Sequence, residues 1–113
     1  MKNVIVGILS LAFIVVLAGC GKATDPQFRI HNESANKANV QIQTSGGNTI
    51  NINDVEAGQA TAFQSCAEGN IIATAVIQSE SLSPKISFFA SKDTRYTIVI
   101  LTGVNPALRV DRE

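Results

Sequence analysis

The chain has no Trp, one Tyr, one His and two Cys among its 113 residues, and each scarcity removes a class of function. With His31 as the sole imidazole, a zinc centre or a His-based nucleophile would have to be gathered from Cys66 and carboxylates distant in sequence. His31 is therefore read as an exposed, non-catalytic side chain on the same strand face as Arg29. A Gly-x-Ser-x-Gly elbow, a Gly-rich phosphate loop leading into a helix and a His-Glu-x-x-His pair are all missing. Tyr96 alone cannot build a stacking platform for bases or sugar rings, and its position just past a turn suits a hydroxyl tied back to the backbone. Charge of either sign is also not in excess, since nine basic residues face nine acidic ones and the basic ones are scattered. Nucleic acid is thus not an expected partner, and no acidic lipid surface is an obvious target. The expectation is a protein that is not an enzyme and carries no cofactor.

What the sequence does have in quantity stands at its start. Met1-Lys2-Asn3 precedes an apolar run from Val4 to Ala18 that ends in Leu17-Ala18-Gly19-Cys20. A run of about 15 residues has the size of a signal-peptide core, whereas a membrane span needs about 20. Small residues, Ala18 and Gly19, sit where a signal peptidase requires them. This pattern resembles the lipobox of bacterial lipoproteins. The resemblance implies that residues 1–19, a signal-peptide helix, are removed, that Cys20 receives a diacylglyceryl thioether, and that the new amino terminus is acylated by a fatty acid such as palmitate. At about 0.8 kcal/mol per buried methylene, two or three acyl chains give stable anchoring where one would not. The implied partner of Cys20 is a membrane, and the implied location is the bacterial cell envelope. Gly21, where inner-membrane retention would favour Asp, points to the outer membrane of a Gram-negative cell; in a Gram-positive cell the site is the outer face of the cell membrane.

Loss of Lys2 leaves eight basic residues against nine acidic ones, a net charge near −1. The segment Gly21-Lys22-Ala23-Thr24-Asp25-Pro26-Gln27 has no periodicity, so residues 20–27 read as the lipidated Cys and a tether reaching at most about 25 Å. With Cys20 committed to lipid, Cys66 is left without an intramolecular partner. It is either a small residue at a strand end or a thiol for intermolecular pairing or reaction, and no Lys, Arg or His within three positions lowers its pKa.

Residues 28–113 form one domain with period-two patterning, interrupted by turn chemistry every eight to twelve residues. Phe28, Ile30 and Asn32 share one face of a first strand; Val40 and Ile42 alternate with Asn39, Gln41 and Gln43 in a second; Ser45-Gly46-Gly47-Asn48 makes a hairpin turn into Ile50 and Ile52. Ala60–Cys66 reads as a strand carrying Phe63. The runs Ile71–Gln78 and Tyr96–Thr102 are apolar on both faces and are predicted to be central, while Ile86 and Phe88 start another strand and Leu108 and Val110 an edge strand. The predicted fold is an all-β, immunoglobulin-like antiparallel β-sandwich of seven to eight short strands. Phe28-Arg29-Ile30-His31-Asn32, Ala38–Ile42 and Thr94–Gly103 with its Tyr96-Thr97-Ile98-Val99 core look like a family of bacterial secreted and anchored sandwich domains of unknown function. That resemblance implies the same fold and carries over no functional residue.

Two groups of residues stand out as sites. Asn51, Asn53, Asp54 and Glu56 gather oxygen donors near one strand end, where a hard cation such as Ca²⁺ could sit, although turns collect Asn and Asp for backbone reasons alone. Strand parity also puts Asn39, Gln41, Gln43, Asn51 and Asn53 on adjoining outward positions, where a solvated face more often carries Lys and Glu. Amides both donate and accept, so this uncharged face suits recognition of protein backbone or glycan hydroxyls, against the plainer reading of ordinary strand surface. The expected function is a membrane-anchored binding or scaffolding module, for adhesion or assembly, engaging an envelope protein or glycan. The alternative is a small periplasmic inhibitor or ligand carrier that captures its target through one loop end.

Overall fold

A computed structural model of the chain describes residues 23–113. The expected signal peptide at 1–19, the expected lipidation site Cys20, and Gly21 and Lys22 of the expected tether lie outside the described residues. Eight strands follow one another: β1 (Gln27–Asn32), β2 (Ala38–Gln43), β3 (Thr49–Val55), β4 (Gln64–Ser65), β5 (Gly69–Ile77), β6 (Lys85–Ala90), β7 (Arg95–Leu101) and β8 (Ala107–Arg112). They form an immunoglobulin-like β-sandwich of two four-stranded sheets, with order β4-β1-β7-β8 in the first and β3-β2-β5-β6 in the second. No helix occurs among the described residues.

The period-two pattern is what divides each strand between core and surface. Phe28, Ile30, Val40, Ile42, Ile71, Ile98 and Ile100 point between the sheets and are essentially fully buried. Burial of each such side chain contributes about 1.5–3 kcal/mol. The expected hairpin joins β2 to β3, with Gly47 at φ 86°, a conformation that Gly reaches without a Cβ clash. Tyr96 is buried, its ring centre 5.1 Å from that of Phe88, and its hydroxyl accepts the Ser91 N–H at 2.8 Å. The predicted tie between hydroxyl and backbone is therefore present.

Four details depart from the sequence reading. The sheets are not wholly antiparallel: β1 and β7 run parallel, in register from Gln27 opposite Arg95 to Asn32 opposite Ile100. Parallel neighbours need a long crossover, and here the intervening strands of both sheets supply it. The expected strand over Ala60–Cys66 shrinks to Gln64–Ser65 plus a single bridge between His31 and Ala60. The reason is local: the Thr61 hydroxyl accepts the Ile30 N–H at 3.0 Å, taking the place of a backbone carbonyl. Phe63 consequently leaves the core and lies beside the Arg29 and Arg95 guanidiniums, 4.8 and 4.7 Å from its ring centre.

Third, β5 is central in its sheet yet covered on one face only. Ile72 and Val76 remain exposed, whereas the corresponding outward residues of β7, Thr97 and Val99, are buried. The register flanks Val99 with His31 and Arg109, and Arg29 Nε donates to Thr97 Oγ1 at 3.1 Å, so long side chains roof the outer face of the first sheet. Fourth, the tether is shorter than residues 20–27. Pro26 is buried and its carbonyl accepts the Cys66 N–H at 3.0 Å, and Gln27 already belongs to β1. Thr24 is pinned as well, its N–H and hydroxyl donating to Asp93 Oδ1 at 2.8 and 3.0 Å.

Candidate binding face

The outer face of the second sheet brings together the five amide residues expected to share a surface. Asn39, Gln41 and Gln43 project from β2, and Asn51 and Asn53 from β3, all exposed. Gln41 stands opposite Asn51, and Gln43 opposite Thr49. The pattern arises because β2 and β3 each alternate an aliphatic residue for the core with an amide for the surface, and the Ser45–Asn48 turn sets their register. Towards β6 the character changes. Across β5, Gln43 faces Ile72, Gln41 faces Thr74 and Asn39 faces Val76. Each β2 amide thus has an oxygen-bearing neighbour on its β3 flank and methyl groups on its β5 flank.

This surface holds a shallow groove of about 210 Å³, bordered by Asn39, Gln41, Asn51, Asn53, Thr74 and Val76. Adjacent strands place side chains about 4.8 Å apart across the face and about 6.8 Å apart along it. An array of amides at that spacing, with exposed Ile72 and Val76 and further out Phe89, offers hydrogen bonds and apolar contact to an extended polymer. Charged side chains stand only at the borders of the array: Lys37, which lines a hollow with Asn39 and Val76 and faces Asp54, and Lys85, opposite Thr74 on the outermost strand β6. A larger hollow of about 590 Å³ lies elsewhere, around Asp25, Asp93 and Arg95. It is open and lies where Thr24 and Asp25 meet the turn before β7, so it is the weaker candidate.

At the end of β3 the oxygen donors proposed for a cation take other roles. A bulge in the β2–β3 ladder puts Asp54 at φ 59°, and Asn39 Oδ1 accepts the Asp54 N–H at 2.7 Å. The carboxylates of Asp54 and Glu56 both face the Lys37 ammonium, at 3.9 and 3.8 Å. Asn51 and Asn53 belong to the amide face. Among the described residues, no three His, Cys, Asp or Glu side chains converge as metal ligands. His31 is half-buried, with Nδ1 3.5 Å from Glu33 Oε2. Cys66 is buried, and burial followed by the nearby Asp25 carboxylate pushes its thiol pKa up, which keeps it protonated and poorly nucleophilic.

One residue that the sequence placed on an inward face, without a role, proves structural. Asn32 is fully buried and uses its whole hydrogen-bonding capacity: Nδ2 donates to the carbonyls of Asn36 and Val55 at 2.8 and 3.0 Å, while Oδ1 accepts the Ser34 N–H and hydroxyl at 2.9 and 2.6 Å. An amide at an inward position of an otherwise apolar strand face was the only sequence signal.

No family model matches the chain, and no curated protein matches it. Among solved structures the sandwich is similar to a protein from Eubacterium rectale determined by NMR, at 19% sequence identity and a TM-score of 0.59, over 78% of this chain and 87% of that one. At that identity the likeness speaks for the fold alone: two sequences that share few residues arrive at one β-sandwich.

Proposed function

We propose that this protein is a lipid-anchored module of the bacterial cell envelope that binds, without catalysis, an extended protein segment or glycan along the outer face of its second sheet. The observation that carries the reading is the uncharged array of Asn39, Gln41, Gln43, Asn51 and Asn53 beside exposed Ile72 and Val76. Ordinary solvated strands favour Lys and Glu, and an apolar strand bordering the array adds contact area that water does not reward. The lipobox at Leu17–Cys20 supports the anchoring and the envelope location.

The alternative of a periplasmic inhibitor or carrier draws on a different place. Leu82 is 55% exposed and Val104 fully exposed, in two loops at the same end of the sandwich. Loop-end apolar residues of this kind suit insertion into a soluble partner. The hollow between those loops, about 50 Å³, is too small for a carried ligand.

A photo-crosslinking residue placed singly at Gln41, Val104 or Arg109 of the full chain in living bacteria separates the readings. Adducts from Gln41 to an envelope protein or glycan are expected. Adducts from Val104 alone, to a released soluble protein, would establish the alternative, and an unreactive Gln41 position would end the face-binding reading.

A further inference from the structure

We infer that the sandwich stands on the membrane by one end, the end made by Thr24–Asp25, the Ser45–Asn48 turn, Ala67–Glu68 and the Ser91–Thr94 turn, with its surface lipid headgroups as the contacting partner. The inference rests on the lipid-anchor reading above and adds the orientation. Strand directions define the two ends. β1 and β7 both start at this end and β2 and β6 finish there, so their turns cluster around the chain entry, while the Leu82 and Val104 loops lie at the opposite end.

The neck turns that topology into an orientation. Thr24 is held to the β6–β7 turn by its two bonds to Asp93 Oδ1, by a third bond from the Asp93 N–H to the Thr24 carbonyl at 2.9 Å, and by the adjacent Lys92–Asp25 ion pair at 3.0 Å. Only Gly21, Lys22 and Ala23 separate Cys20 from this clasp, a span of at most about 14 Å. The sandwich is longer than that: the seven residues of β3 extend about 24 Å. The leash is too short for the opposite loops to turn towards the bilayer. The contacting end is polar and carries both signs, with Asp25, Glu68, Asp93 and Glu113 beside Lys92, Arg95 and Arg112, so neutral zwitterionic headgroups suit it without an anionic lipid. Upright, the amide face runs perpendicular to the membrane and is open along its whole length.

The test uses the full chain, acylated at Cys20, in phosphatidylcholine nanodiscs doped with a gadolinium-chelating headgroup. Backbone amide signals of Gly46, Gly47, Glu68 and Lys92 are expected to lose most of their intensity, and those of Ala35, Leu82 and Val104 to keep it. Equal loss at both ends, or greater loss at Leu82 and Val104, would overturn the orientation. Lengthening the leash by a long Gly-Ser insert between Gly21 and Lys22 is expected to erase the contrast; a contrast that survives would show that the leash does not set it. Mass spectrometry of the same sample separates the premises: an unacylated Cys20 removes the anchor reading itself, whereas an acylated Cys20 with uniform attenuation removes the orientation alone.

Discussion

Asn32 shows how much one buried polar side chain can organise. It ends β1 on the core face, and four hydrogen bonds tie it to the Glu33–Asn36 turn and the end of β3; its own backbone accepts from Gly58 at 2.6 Å and donates to Gln59 at 2.9 Å. Replacement by Ala would take this partner from the Val55 carbonyl and the Ser34 N–H in the buried interior, while the Ser34 hydroxyl and the Asn36 carbonyl keep each other at 2.9 Å. Asn32→Ala is expected to lower unfolding free energy by roughly 2–4 kcal/mol, and Asn32→Asp by a similar amount at neutral pH, since a carboxylate there lacks the two donors. Urea denaturation followed by fluorescence of Tyr96 measures both; a loss below about 0.5 kcal/mol for Asn32→Ala would refute the structural role. Sequence parity placed Asn32 inward, but only the folded loops reveal what its amide holds.

At the level of strands and turns, the start of β5 depends on a glycine. Gly69 has φ 137°, and a Cβ there would collide with the Ser45 side chain, whose hydroxyl donates to the Glu68 carbonyl at 3.0 Å. Gly69→Ala therefore combines backbone strain with a clash between two turns. A destabilisation of about 1–3 kcal/mol is expected, with Ser45→Gly in the same chain recovering part of it. Thermal melting of the three variants checks this, and an Ala variant as stable as the wild type would contradict the packing of these turns. Strands were the most legible elements of the chain, because alternation over five or more residues leaves a single face for the core. The shortened strand over Ala60–Cys66 has a side-chain cause. At Thr61 a side-chain hydroxyl replaced a ladder partner, and at Phe63 an aromatic ring found cations on the surface, and neither depends on periodicity.

At the scale of the whole molecule, the neck fastens Thr24 and Asp25 to the β6–β7 turn, and acid is expected to loosen it. The Thr24 N–H, then the Thr24 hydroxyl, hold the Asp93 carboxyl below the ordinary aspartate range, and on the first sheet the Arg109 guanidinium does the same for Asp111. A folded-state pKa below the unfolded one stabilises above the unfolded value, about 3.9 for aspartate, and that contribution is lost as pH falls through the lower folded value. Both groups are exposed, so the effect is local. Protection of the Thr24 amide against exchange, relative to its intrinsic rate at each pH, should hold from neutrality down to about pH 4 and fall below it, whereas protection of the Ile98 amide in the core should not respond over that window. Simultaneous quickening at both positions would mean that the neck unfolds only with the domain.

The sequence by itself determined the alternation behind the two-sheet architecture, and the proposed address rests on it alone. Alternating apolar residues give each strand one face to bury against a second layer, the pattern that resembles a lipobox lies in local residue identity, and the surface parity of Asn39, Gln41, Gln43, Asn51 and Asn53 follows from the same alternation. Tertiary structure decided which strands became neighbours. It paired β1 with β7 across more than sixty residues, set Val76 and Ile72 beside the amides, gave Asp54 and Glu56 to Lys37, and fastened Thr24 to Asp93. Such contacts lie far apart along the chain and depend on strand order and register, which short-range patterning does not encode.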